Sequence, residues 1–398
     1  MQEAVSLPLR NKRGKKATAS ALTQVKLSGN QGILPSQAID DLRKRGGIRG
    51  AKDGEIAPDQ IQPASIDLRL SSRCFRVRAS FLPGSSHTVG QRLNEFAIHE
   101  MNLDKGAVLE RGCFYVVELQ EILDLPKNLS AVANPKSSTG RLDVFTRLIS
   151  DKSEVFDWVE SGYSGPLYVE ICPMTFSIKV QKGTRLNQMR FLRRTSSQHK
   201  YDRPEIDDSA LEKLHKKHRL VAEGEPTIRN GLNVRVDLKG TRVGSIIGYK
   251  AKPCASVVDV EKKAAHNRSE FWEPITSNKQ GRLILDPRDF YILASKERMQ
   301  VPPEFAAEMA PIDPMMGEFR AHYAGFFDPG FGHMPKGPHG SRAVLEVRSH
   351  TVPFVLEDGQ IIARLVYEHL TEVPNRLYGR DLKSNYQGQG LKLSKHFK

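Results

Sequence analysis

Between Asn134 and Arg141 the chain reads Asn-Pro-Lys-Ser-Ser-Thr-Gly-Arg, which puts two cations, three hydroxyls and a glycine into one short loop. Lys136 and Arg141 can neutralise phosphate charge. The hydroxyls of Ser137, Ser138 and Thr139, with the backbone N–H groups of a turn opened by Gly140, can surround phosphate oxygens. A solvated turn with a capping serine has the same composition, so the loop alone decides nothing. Glu170 closes the apolar run Leu167-Tyr168-Val169, and Glu346 lies inside Ala343-Val344-Leu345-Glu346-Val347. A carboxylate buried in a strand is costly unless hydrogen-bonded, and burial raises its pKa. Such a group suits a general base or proton shuttle near neutral pH. Strand alternation equally permits a glutamate that faces outward. Asp328-Pro329-Gly330 spells a tight turn with an exposed acceptor. The stretch from Tyr378 to Gln389 is polar, aromatic and glycine-punctuated, in keeping with a frayed tail or with a lid that orders over a ligand.

The elements that must position these residues are mostly strands. Ile66–Leu70, Cys113–Val117, Leu167–Ile171 and Ser177–Val180 alternate apolar and polar residues between Gly, Pro, Asn and Ser punctuation. This is an all-β pattern, a sandwich or barrel. Two segments break it. Leu34–Arg45 reads as a helix stopped by Gly46-Gly47, and Asp207–Val221 as a capped connector helix with its basic residues toward the C-terminal end. After the connector the pattern restarts in the same words. Phe114-Tyr115 returns as Phe290-Tyr291, 176 positions on, and at that spacing Glu121 meets Glu297, Pro126 Pro302, Pro135 Pro311, Glu170 Glu346, Thr175 Thr351 and Gly183 Gly359. Upstream, Pro63–Leu70 pairs by pattern with Gly231–Leu238, 168 positions on, so the second copy gains eight residues in between. The chain is one module written twice. The organisation is a flexible basic tail (1–30), a first module (31–200), a helical connector (201–224), a second module (225–370) and a C-terminal tail or lid (371–398). The copies differ where chemistry is expected: Ile312-Asp313-Pro314-Met315-Met316-Gly317 replaces the hydroxyl loop, and the first copy lacks Asp-Pro-Gly.

Composition sets outer limits. With 39% hydrophobic and 27% charged residues this is a globular chain, and no apolar run approaches a membrane span or an export signal. The four cysteines are isolated, as expected of reduced thiols in a cytosolic protein and not of a zinc site. The net charge of +14 includes Arg10, Lys12, Arg13, Lys15 and Lys16 of the tail. It could steer a nucleic acid or a nucleoside triphosphate, but no aromatic-rich binding strand or nucleic-acid motif accompanies it.

Taken together, Ile61–Leu70, the Ser137-Ser138-x-x-Arg141 loop, the strand ending in Glu170, Asp328-Pro329-Gly330 and Tyr386-Gln387-Gly388-Gln389 resemble the dCTP deaminase family, in its long, internally duplicated bacterial form. The resemblance spans roughly residues 34 to 389. It implies two tandem dUTPase-like modules, each a distorted, jelly-roll-like β-barrel with a few short helices, assembling in threes into a homo-oligomer. It also implies a cytoplasmic hydrolase, working without zinc, that converts dCTP to dUTP and ammonia for thymidylate synthesis. Magnesium would arrive on the triphosphate, and dTTP is a further candidate ligand as an inhibitor. Neither nucleic acid nor membrane is an expected partner. Carried over residue by residue, Glu170 becomes the catalytic carboxylate held by Arg141 and Ser137. Lys136, Ser138, Asp328, Tyr378, Asn385 and Gln389 become substrate contacts, and Thr139 and Gly140 of the same loop and Glu346 of the second copy stand beside them as further candidate contacts. A lysine usual in the family's tail is Asn385 here, with Lys383 as its substitute. Because each copy lacks a part the other has, a complete site either combines both copies or uses altered parts of the first. A dUTPase-like pyrophosphatase, or a deaminase that also hydrolyses dUTP, is the alternative reading.

Overall fold

Several recurring residues of the repeat have a structural task in both copies. The computed structural model describes residues 31–50, 55–195, 199–311, 319–322, 325–334, 340–349, 351–382 and 384–398. The basic tail and the second-copy loop Ile312–Gly317 lie outside the described residues. The Tyr115 hydroxyl accepts from the backbone N–H of Glu110 at 3.0 Å, and Tyr291 repeats this with Asp286 at 2.9 Å. A buried phenol needs such a partner, and here it closes the turn leading into the long strands Phe114–Asp124 and Phe290–Met299. Gly183 and Gly359 both take positive φ (91° and 81°), a conformation side chains disfavour.

The fully buried Glu121 accepts from the backbone N–H and Nε of Arg69, both at 2.8 Å, and Glu297 accepts likewise from Arg235 at 2.9 and 2.6 Å. This repeated pair corrects the upstream correspondence. Arg69 matches Arg235, 166 positions on, so Ile66-Asp67-Leu68-Arg69-Leu70 falls on Leu232-Asn233-Val234-Arg235-Val236. The second copy therefore gains ten residues, the difference between 176 and 166. A two-residue slip leaves strand alternation unchanged, so the pattern could not detect it; the buried ion pair does.

Both modules are mainly β. In the first, one antiparallel sheet runs Gly32–Ile33, Asn187–Arg193, Leu129–Pro135, Trp158–Val159. Facing it is a sheet ordered Ala97–Asn102, Leu70–Val77, Phe114–Asp124, Ser164–Pro173, Val144–Ser150. In the second module Leu232–Arg235, the counterpart of Ile66–Leu68 (which also pairs with Asn187–Arg193), starts a sheet that continues through Ile361–His369, Phe305–Pro311 and Phe326–Phe327. The other sheet recurs as Trp272–Thr276, Ile246–Ala251, Phe290–Met299, Ser341–Ser349, Phe319–His322. The expected helices form as Ser36–Lys44 and Asp208–His218, the latter capped by Asp207, whose carboxylate accepts from the Ala210 N–H at 2.7 Å. Among the described residues no helix is long and apolar enough to cross a membrane.

The modules share a core. Phe271, Trp272, Phe290, Val344 and Phe397 join the apolar cluster of the first module, and Val258–Asp259 pairs in parallel with Ile178–Val180. Two arginines add charged clamps. Fully buried Arg190, from the first module, donates to the carbonyls of Ala307 (3.0 Å) and Phe327 (2.9 Å) and pairs with Glu368 at 3.1 Å. Arg348, from the second, forks onto the fully buried Asp143, with Nε 3.2 and 3.1 Å from its two oxygens and Nη2 bonded as well. Removing one partner of such a pair strands a buried charge at a cost of about 3–5 kcal/mol. Asp143→Ala should therefore lower the urea midpoint sharply, while Asp143→Ala/Arg348→Met together should recover part of the loss. A fully additive double variant would show that the two residues do not act as a pair.

Candidate active site

Strand Leu129–Pro135 delivers the hydroxyl loop, and one helical turn, Ser137–Gly140, shapes it. The Lys136 N–H bonds the Leu186 carbonyl at 2.8 Å, fixing the loop to the neighbouring strand segment. The Lys136 ammonium pairs with Asp67. The Thr139 hydroxyl is spent on the Leu186 carbonyl at 2.9 Å, so Thr139 holds the loop in place. Arg141 is 2% exposed, donates to the Lys392 carbonyl at 2.9 Å and lies 3.9 Å over the Tyr386 ring, while its Nε has no partner.

What faces this loop comes from the second module. One pocket is lined by Lys136, Ser137, Ser138, Gly140, Arg141 and Gln188 of the first module and by Phe326, Asp328, Phe331, Val344 and Glu346 of the second, closed by Tyr378, Asn385, Tyr386 and Gln389 of the tail. Glu346 sits within strand Ser341–Ser349, 8% exposed. Burial pushes its carboxyl up to about 8, against the pull of the Arg141 guanidinium and with some help from Asp143. Asp328 follows the short strand Phe326–Phe327 in a turn whose Gly330 has φ 94° and bonds the Val301 carbonyl at 3.0 Å. Burial raises the Asp328 carboxyl too, with Arg190 opposing it from 3.6 Å. Tyr378, whose phenol burial pushes up, stacks on Phe331 at 5.9 Å. The tail is a fitted wall: Gln387 accepts from the Gly332 N–H at 3.0 Å, and Gln389 donates to the Arg342 carbonyl at 3.1 Å while its Oε1 stays unpartnered. Among the described residues no three His, Cys, Asp or Glu side chains group closely enough to hold a metal ion.

Glu170 lies elsewhere. It occupies the register position equivalent to Glu346, opposite Val116 as Glu346 is opposite Ile292. It is fully buried, with Oε1 accepting from Ser80 at 3.0 Å and Oε2 unpartnered, and burial raises its carboxyl against Ser80 and Arg147. The segment carrying Ser80 and Phe81 contacts it, so the expectation that Arg141 and Ser137 hold Glu170 does not match the geometry; they face Glu346. The first copy lacks the Asp-Pro-Gly residues, as expected, but turns at the same place. Val159 pairs with Ala131 as Phe327 does with Ala307, which puts Glu160-Ser161-Gly162 at the place of Asp328-Pro329-Gly330, Gly162 having φ 75°. There the Glu160 side chain pairs with Lys200 at 3.0 Å in an exposed ion pair. Lys383 lies outside the described residues. Sequence reading overlooked Gln188, Arg190 and Lys395, and named Tyr386 only as part of the tail motif, not as a pocket residue. The available signal for Arg190 was the repeat itself, since the apolar Val366 stands at its position in the second copy of the strand Asn187–Arg193.

The comparisons agree with this architecture. Residues 30–195 match the N-terminal domain, and residues 207–397 the C-terminal domain, of 2'-deoxycytidine 5'-triphosphate deaminase. A crystal structure of 2'-deoxycytidine 5'-triphosphate deaminase from Agrobacterium tumefaciens is 52% identical, with TM-score 0.80 over 85% of this chain and 99% of that one. Curated relatives from Methanoculleus marisnigri (29% identical, 40% of this chain, 80% of theirs) and a Nocardioides species (30%, 36% and 73%) are described as dCTP deaminase, dUMP-forming. Two tandem dUTPase-like modules, with a pocket walled by both, define the class. The chain belongs to the 2'-deoxycytidine 5'-triphosphate deaminase family.

The raised Glu346 carboxyl has a consequence for stability. A carboxyl whose folded pKa (about 8) exceeds its ordinary value of 4.5 favours folding while protonated, and that advantage is lost as pH rises between those values. Relative to the wild type, Glu346→Gln should therefore gain stability progressively from pH 5 to pH 8 in urea titrations, within that same window. A pH-independent difference would contradict the burial argument.

Proposed function

We propose that the protein hydrolyses the C4 amine of dCTP, releasing dUTP and ammonia, with Glu346 as the proton-shuttling carboxylate. The observation carrying this reading is the meeting of Glu346 with the Lys136–Arg141 loop in one pocket. The cytosine ring would lie against Phe326, Phe331 and Val344, and the triphosphate would lie along Lys136, Ser137 and Ser138, where hydroxyls and cations match its oxygens. Glu346 takes a proton from water as the oxygen attacks C4 and passes it to N3; it then takes the remaining proton of the new C4 hydroxyl and delivers it to the amine, so that the C4 carbonyl forms as the C4–N bond breaks and ammonia leaves. Arg141, at its flank, favours the ionised carboxylate between these transfers, and Ser137 orients the water. Asp328 and Gln389 each hold a buried oxygen without a hydrogen-bond partner, available to ligand donors. Magnesium enters as part of the substrate, on the triphosphate, and the proposal needs no zinc. Assembly of modules in threes and inhibition by dTTP belong to the same proposal.

A second reading, in which the triphosphate is also hydrolysed to give dUMP, is favoured by the description of the curated relatives as dUMP-forming. Ammonia and pyrophosphate released from dCTP separate the two. Ammonia alone supports the first reading, both products the second, and pyrophosphate without ammonia would contradict deamination altogether. In the same assay Glu346→Gln should lower kcat roughly 10²–10⁴-fold, the usual worth of a general acid–base group. Glu170→Gln should retain most turnover. Equal losses, or loss in Glu170→Gln alone, would overturn the choice of Glu346.

A further inference from the structure

The chain beyond Gln389 supplies an unexpected part of the pocket wall. The Ser394 hydroxyl donates to the Ser138 carbonyl at 2.8 Å, and the Lys395 N–H donates to the Tyr386 hydroxyl at 3.2 Å. From the other side the Ala264 N–H bonds the Lys395 carbonyl at 2.9 Å. The N–H groups of Ala265 and His266 share the His396 carbonyl at 3.0 and 3.1 Å, and the Lys398 N–H reaches the His266 carbonyl at 2.9 Å. Phe397, 7% exposed, packs against Phe271 at 5.3 Å and Trp272 at 5.8 Å between ring centroids. These contacts make residues 394–398 a strap anchored across both modules, with Lys395 held beside the hydroxyl loop.

The Lys395 side chain lines the same pocket as Lys136, Ser137 and Arg141. Its neighbours already have partners: Lys136 pairs with Asp67, and Arg141 is stacked on Tyr386 and bonded to the Lys392 carbonyl. No carboxylate of a described residue lies within 4.0 Å of the Lys395 ammonium. Burial, together with the charges of Lys136 and Lys263, lowers its pKa to about 8, while Asp67 and Glu261 oppose the shift. A half-buried ammonium facing like charges is costly, and an anionic ligand relieves that cost.

We propose that Lys395 binds the triphosphate of the nucleotide, carried into the pocket by the anchored C-terminal strap. The inference rests on the reading of the pocket as a dCTP site and adds a phosphate contact to it. Lys395→Met should raise the KM for dCTP by about tenfold or more, the worth of a charge-assisted contact, with a smaller change in kcat. Inhibition by inorganic tripolyphosphate should weaken in parallel, Lys395→Arg should restore both, and Lys398→Met, at the exposed end of the strap, should change neither. If Lys395→Met lowers the melting temperature, Lys395→Gln is judged by the same two readouts. Unchanged KM and unchanged tripolyphosphate inhibition in a folded variant would overturn the proposal. If the wild type releases no ammonia from dCTP, the functional reading fails by itself. Calorimetric titration with tripolyphosphate then decides on Lys395 alone: weaker binding in Lys395→Met supports it, and equal binding refutes it.

Discussion

The site depends on one buried ion pair. Asp143 lies two residues beyond Arg141 in the first module, and Arg348 lies two residues beyond Glu346 in the second. When Arg348 forks onto Asp143, it fixes the register of strand Ser341–Ser349 against the hydroxyl loop. Residues two apart in a strand share a face, so the same contact sets Glu346 on the side of Arg141. A one-residue slip would turn the carboxylate to the opposite face. Asp143 holds φ 56°, an unfavourable region for a residue with a side chain, costing about 1–2 kcal/mol. Its N–H to the Gly140 carbonyl (2.8 Å) and its carbonyl from the Met174 N–H (2.9 Å) keep it there.

That constraint explains how two copies of one module came to do different work. The scaffold residues recur with the same partners: the tyrosines that close a turn, and the Arg–Glu pairs that set a register. The clamp does not recur, for Cys172 stands at the first-copy position of Arg348. Arg190 likewise has no second-copy equivalent, and it ties the first module to the Phe326–Phe327 strand, stacking 4.0 Å from the Phe326 ring. Glu170 kept its strand position but is covered by Ser80, while Glu346 kept both its position and an open pocket. A side chain shared by both copies therefore marks the fold, and its surroundings decide whether it can do chemistry.

Much of this was legible in the residues. The duplication, the β texture, the two longer helices and the hydroxyl loop all come from local pattern, which the fold respects. The tail was also legible as polar and aromatic, but its fitted packing was not. Choosing between Glu170 and Glu346 was beyond the sequence, because both sit in equally apolar strands and differ only in what long-range packing lays over them. The upstream register was missed by two residues because alternation has period two. The turn at Glu160-Ser161-Gly162 was missed because aspartate and proline had both been replaced, leaving only the glycine conformation in common. Lys395 was missed because a lysine near a chain end reads as solvated surface until the aromatic anchor at Phe397 is seen.

The central claim is that one chain builds the pocket from the Arg141 loop of its first module and Glu346 of its second. A crystal structure of the Glu346→Gln variant soaked with dCTP tests this most directly. The account predicts the cytosine C4 beside residue 346 and the triphosphate along Lys136, Ser137 and Ser138 of the same chain. Nucleotide bound instead beside Glu170, with residue 346 untouched, would contradict it.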